Sequence, residues 1–198
     1  MIGTDAVLEL VHAPVGEQAV RTADGALAKV RAAEPEPLLR VGVSASSTTG
    51  RAWLFGAAAS RTSVEWAAVV AAVLALDAGA EAVAAGSAAA RTVAEALGPP
   101  HVAAGWCLET TAGVVGAAAA AARVLGLRDK AVRYAIGIAA TQASGLEAVR
   151  GTQLGAVQVA RAAAAGVEAA LLARNGFTAA EDPLAGRRGM YALMSAPR

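Results

Sequence analysis

Two short segments hold the residue types that could do chemistry. One is Val64-Glu65-Trp66-Ala67-Ala68, the other Trp106-Cys107-Leu108-Glu109-Thr110-Thr111. Glu65 stands at an apolar helix start; turned towards the core it would serve as an acid or base, and turned outwards it is a first-turn glutamate favoured by the helix dipole. Cys107 is either a nucleophile, with only His101 near it in sequence as a partner, or a small buried apolar residue. Glu109 and Thr110 stand where the next helix begins, so each either caps it or contacts a pocket. Trp53, Trp66 and Trp106 supply either core volume or the walls of a cavity. His12 and His101 read as surface residues. The chemistry these residues offer is proton transfer or shape-based catalysis; no cofactor and no metal is called for.

Composition narrows the field. The 198 residues fit one domain with a sizeable core. Seventeen basic against 16 acidic residues leave a net charge of +1, too small a field for binding phosphate backbones, so no nucleic-acid partner is expected. A single cysteine excludes a disulfide framework or a thiolate zinc cluster within one chain and fits a reducing compartment. The mean hydropathy of +0.49 comes largely from alanine and glycine, and the uncharged runs at 66–76 and 110–122 are shorter than a membrane span, so no membrane association is expected. The first residues, Met1-Ile2-Gly3-Thr4-Asp5, lack the pattern of a signal peptide, which predicts a cytoplasmic protein.

The elements that must position these residues are helices. Alanine loses no side-chain entropy in a helix and dominates from residue 52 onwards. Helices are predicted at 16–33, 52–60, 64–77, 80–97, 110–125, 129–144, 153–174 and 178–185, with Pro99-Pro100, Gly126 and Asn175-Gly176 as stops. The last begins at a capping box, Thr178-Ala179-Ala180-Glu181. Val41-Gly42-Val43 reads as a short strand or an extended crossover. The domain organisation expected is one all-α unit over 1–198, a compact Ala/Gly-rich helical bundle with residues 1–40 as a looser N-terminal arm and 50–190 as the helical body. Val69, Val70, Val73, Leu74, Leu76, Val132, Ile136, Ile138, Val157, Val167, Leu171 and Leu172 are the expected core where they fall at helical spacing. Leftover apolar surface is expected to meet a second copy in a homodimer.

Three further runs carry a resemblance. They are Gly113-Val114-Val115-Gly116-Ala117-Ala118-Ala119-Ala120 with Leu125-Gly126-Leu127; Ala135-Ile136-Gly137-Ile138-Ala139-Ala140-Thr141-Gln142-Ala143-Ser144-Gly145-Leu146; and Gly166-Val167-Glu168-Ala169-Ala170-Leu171-Leu172-Ala173-Arg174-Asn175-Gly176-Phe177-Thr178. Over residues 105–189, and less closely over 54–66 and 82–98, the chain resembles the MmgE/PrpD family of 2-methylcitrate dehydratases, which includes cis-aconitate decarboxylase. The resemblance implies the helical half of that fold. Family members are more than twice this length, their remainder being an α/β lid that the resemblance does not reach.

Set against the family pattern, most of the acid/base groups differ. Cys107 stands in place of a histidine, Glu65 in place of an aspartate, Trp66 in place of the carboxylate beside it, and Gly155 and Gln158 in place of a lysine and a histidine. The resemblance thus implies a site without its cationic clamp for substrate carboxylates. The expectation is a repurposed small-molecule enzyme, a cyclase, isomerase or lyase of specialised metabolism. In it Glu65 would be the acid or base, and Trp53, Trp66, Trp106, Cys107, Glu109, Thr110 and Gln158 would surround a relatively apolar, polyketide- or terpenoid-like substrate. The alternatives are an inactive paralogue that binds a ligand or a partner subunit, and a divergent dehydratase or decarboxylase of small carboxylic acids.

Overall fold

The computed structural model describes residues 2–34 and 43–195. The chain is all-α: among the described residues there are nine α-helices and no strand. In order they are α1 (Thr4–His12), α2 (Glu17–Ala32), α3 (Thr48–Ala59), α4 (Ala67–Ala75), α5 (Ala80–Ala103), α6 (Leu108–Val124), α7 (Asp129–Thr141), α8 (Gln153–Arg174) and α9 (Met190–Met194). A 3-10 turn, Glu147–Val149, lies between α7 and α8.

The alanine run makes α6 the axis of the bundle. Every residue from 110 to 122 is buried, so this helix has no solvent face along that stretch and is enclosed by α4, α5, α7 and α8. Small side chains let the neighbours approach closely. Gly86 on α5 meets Gly116 on α6, and a Cβ added to Gly116 would lie 2.6 Å from the Gly86 carbonyl oxygen. All of α4 is likewise buried. Of the expected core, Val69, Val70, Val73, Leu74, Val132, Ile136 and Val167 are buried, whereas Leu76, Ile138, Val157, Leu171 and Leu172 are only partly buried.

Several boundaries differ from expectation for local reasons. Residues 64–66 are not helical: Trp66 takes a left-handed conformation (φ 55°, ψ 48°) at the N-cap, so α4 opens only at Ala67. The stop expected at Pro99-Pro100 is a break at Gly98 (φ 64°), after which a further helical turn runs to Ala103. No helix forms over 178–185; instead Asp182 accepts hydrogen bonds from the Thr4 hydroxyl (2.7 Å) and from the Ala185 N–H (3.1 Å), which closes a turn around Pro183. The terminal helices α1 and α9 are additions to the expected set.

The region read as a looser arm contains α1 and α2, which bury Val7, Val11, Leu27 and Val30 against the same core. Val41 and Gly42 of the expected strand lie outside the described residues. Val43 to Ser47 form a turn that ends with the Ser47 hydroxyl accepting the Gly50 N–H as the cap of α3.

Among the described residues one helix, α8, has the length and apolarity of a membrane span, contrary to the expectation that no segment would. More than half of its apolar window is buried, and it packs on α3, α6 and α7, which accounts for its hydropathy as that of a core helix.

Candidate functional site

A cavity of 630 Å³, within the size range of small-molecule sites, opens between the α3–α4 loop, the first turn of α6 and the start of α8. Three pieces of local structure build it. The Cys107 carbonyl accepts the N–H groups of Thr110 and Thr111, which starts α6 and points that helix end at the cavity. The Thr110 hydroxyl donates to the Ser144 carbonyl at 2.8 Å, and the Cys107 N–H donates to the Gly145 carbonyl at 3.0 Å, so the segment after α7 is tied to the same helix end. Thr152 caps α8 by accepting the Gly155 N–H.

The structure brings Glu65, Cys107, Glu109, Thr110 and Gln158 to the cavity wall. Glu65 takes the outward one of its two expected orientations, and Cys107 takes the buried one. Glu65 does not face the core: its side chain is 67% exposed and pairs with Arg91 at 3.1 Å, because Trp66 rather than Glu65 takes the inward position. Glu109 caps the neighbouring helix α4, accepting the Ala67 N–H at 3.2 Å, and its other carboxylate oxygen makes no hydrogen bond to a described residue. Thr110 is buried and fixes the loop after α7. Cys107 is buried at the N-cap of α6.

The three indoles do not line the cavity. Trp66 is 7% exposed within the hydrophobic core, and its Nε1 has no hydrogen-bond partner among the described residues. Trp106 stacks on His101 with ring centroids 6.1 Å apart. Trp53 is half-buried on α3. The aromatic wall expected from the sequence is therefore replaced by one in which hydroxyl, amide and charged groups alternate with small apolar residues.

His101 is a core residue rather than a surface one. The helical turn after Gly98 swings it inwards, where Nδ1 lies 3.0 Å from the Met194 carbonyl and Nε2 lies 2.8 Å from the Thr111 hydroxyl. Burial pushes its pKa below the ordinary value of 6.5, partly offset by the bond to Met194. With both nitrogens engaged, it is occupied away from the Cys107 thiol. His12 is on the surface, 3.3 Å from Asp129.

Sequence reasoning missed two cations. Arg61 and Arg150 both line the cavity. Arg150 is held by Glu147, its Nη2 donating to the carboxylate at 3.0 Å, and this bond, with the nearby carboxylates of Glu147 and Glu109, keeps the guanidinium more firmly protonated than usual. Its Nη1 makes no hydrogen bond to a described residue. The sequence signal was Arg150-Gly151-Thr152, an arginine beside a glycine just before a helix cap. Among the described residues no group of three His, Cys, Asp or Glu side chains could hold a metal ion.

The arrangement offers a fixed guanidinium, a carboxylate with a free oxygen, and hydroxyl and amide groups around an open cavity. Such a set can hold a small anion and move a proton beside it. No curated protein matches the chain. Residues 78–198, more than half of it and including every wall residue from Cys107 onwards, match the MmgE/PrpD N-terminal domain, and the chain therefore belongs to the MmgE/PrpD family.

Proposed function

We propose that the cavity is a substrate site for a small carboxylic acid and that the domain serves a proton-transfer reaction of the lyase or isomerase type. The observation that carries this reading is the placement of Arg150 and Glu109 on one cavity wall. The free Nη1 of Arg150 would hold the substrate carboxylate. Glu109, through its unbonded oxygen, would take a proton from the neighbouring carbon and return it at a second carbon in an isomerisation, so that no net proton is gained or lost. Glu65 is less suited to this role because its charge is already paired with Arg91 on the exposed side.

The charged groups on the wall support this carboxylic-acid reading over an apolar, polyketide- or terpenoid-like substrate, and the indoles that suggested the latter pack elsewhere. A second reading, a binding subunit without catalysis of its own, is favoured by one observation: no histidine reaches the cavity among the described residues. A homodimer belongs to the same proposal. Leu146 and Leu154, 54% and 55% exposed, stand in the segments bordering the cavity and would be covered by a second copy, which sedimentation of the purified protein would show.

The substrate class is tested by titrating mono-, di- and tricarboxylates, and neutral prenyl alcohols of similar size, into the labelled protein. Amide shifts at Glu109, Thr110 and Arg150 with the carboxylates alone are the expected result. Shifts with the alcohols alone would reject the reading in favour of an apolar substrate.

A further inference from the structure

The strap from Gly145 to Gly151 carries Arg150 to the cavity, and the way it is held is unusual. Both ends are glycines with positive φ, 131° at Gly145 and 79° at Gly151, so the strap begins and ends in conformations that side chains rarely adopt. Its second residue, Leu146, is 54% exposed, so side-chain burial does little to anchor it there. The backbone does the holding. Trp106 and Leu146 form an isolated antiparallel bridge, with the Cys107 N–H donating to Gly145 and the Glu147 N–H donating to Gly105, at 3.0 and 2.9 Å.

That bridge occupies one edge of the strap and leaves the N–H and carbonyl of Leu146 on the other. Gln158, one turn into α8, takes both: its Oε1 accepts the Leu146 N–H and its Nε2 donates to the Leu146 carbonyl at 3.2 Å. The side-chain amide thus makes the pair of hydrogen bonds that a neighbouring strand would make. Four residues beyond Leu146, Arg150 is set against the cavity by its bond to Glu147, which is itself on the strap.

We propose that Gln158 is a positioning residue: by clamping both backbone groups of Leu146 it fixes the strap that presents Arg150, so that anion binding at Arg150 depends on Gln158. The dependence on anion binding rests on the reading given under Proposed function; the clamp itself does not. A carboxylate in place of the amide would set charge against the Leu146 carbonyl, and an imidazole could not offer the same parallel donor and acceptor, so an amide is the group this position needs.

The test compares the wild type with Gln158→Met, Arg150→Gln and the double variant, using amide hydrogen exchange and titration with sulfate, an anion that does not titrate near neutral pH. Methionine keeps the length and bulk but removes both hydrogen bonds. In Gln158→Met, exchange at the Leu146 N–H is expected to speed up about tenfold. The Leu127 amide, bonded to Ala122 in the core, and the urea midpoint are expected to stay as in the wild type. Sulfate binding should weaken about as much as in Arg150→Gln, with no further loss in the double variant, because Gln158 acts through Arg150. Unchanged exchange at Leu146 would overturn the clamp. Losses that add in the double variant would overturn the positioning role and make Gln158 a direct ligand. Absence of sulfate binding by the wild type would refute the anion reading and the proposed dependence on it, while the exchange comparison would still decide the clamp.

Discussion

Glu109, in the first turn of α6, accepts the N–H of Ala67, the first residue of α4, at 3.2 Å. Trp66 at that N-cap supplies no side-chain bond of its own, so a carboxylate from another helix satisfies the donor. The same carboxylate lines the cavity, which makes Glu109 both a cap and the candidate proton acceptor.

Separating the two roles is straightforward. Glu109→Ala removes the acceptor and should cost about 1 kcal/mol, the usual worth of a lost cap. Glu109→Gln retains an acceptor oxygen and should stay within about 0.5 kcal/mol of the wild type while losing proton transfer. Urea denaturation of both variants checks the order.

Trp66 should show an inverted glycine–alanine order. Either substitution loses the buried indole, worth about 3–5 kcal/mol. Glycine also removes the left-handed strain of about 1–2 kcal/mol that alanine retains. Trp66→Gly is therefore expected to be the more stable of the two, as read from their urea midpoints, although glycine is usually the more destabilising residue in a helical region.

The contact between Gly86 and Gly116 leaves no room for a side chain on either helix. Gly116→Val should destabilise by about 3 kcal/mol or more, because the clash is with backbone rather than with the end of a flexible side chain. Differential scanning calorimetry would register this as a lower Tm.

His101 should give the fold a pH dependence. Its folded pKa is lowered from 6.5 by burial, so the unfolded chain binds its proton more readily than the folded one. The stability contributed by the neutral imidazole is full above the unfolded value and is lost as pH falls through about 6.5 towards the folded value. Tm measured from pH 7.5 to 5 should fall, and His101→Gln should flatten that slope in comparison with the wild type.

Much of the scaffold was legible in the sequence because it follows from local propensity. The run from Ala117 to Ala122 has one good conformation, and α6 forms where alanine and glycine leave no other. The site was harder to read because long-range bonds set it. Glu109 lies 42 residues from the Ala67 N–H it caps. The strap that carries Arg150 is held by the Trp106–Leu146 bridge and by Gln158 on Leu146, and no periodicity encodes those pairings. Likewise the inward turn of Trp66, which leaves Glu65 outside, follows from a single left-handed residue. A spacing-based assignment puts both on one helix and both at the cavity, whereas only Glu65 lines it.

The central claim is that Arg150 holds a carboxylate in the cavity that Glu109 also lines. Calorimetric titration of a tricarboxylate such as citrate into the wild type and into Arg150→Gln tests it most directly. A saturable heat in the wild type that weakens about tenfold or more in the variant is expected, since one charge-assisted bond is worth about 1.5–3 kcal/mol. Equal affinity for citrate in the two proteins, with the fold intact in both, would contradict the account.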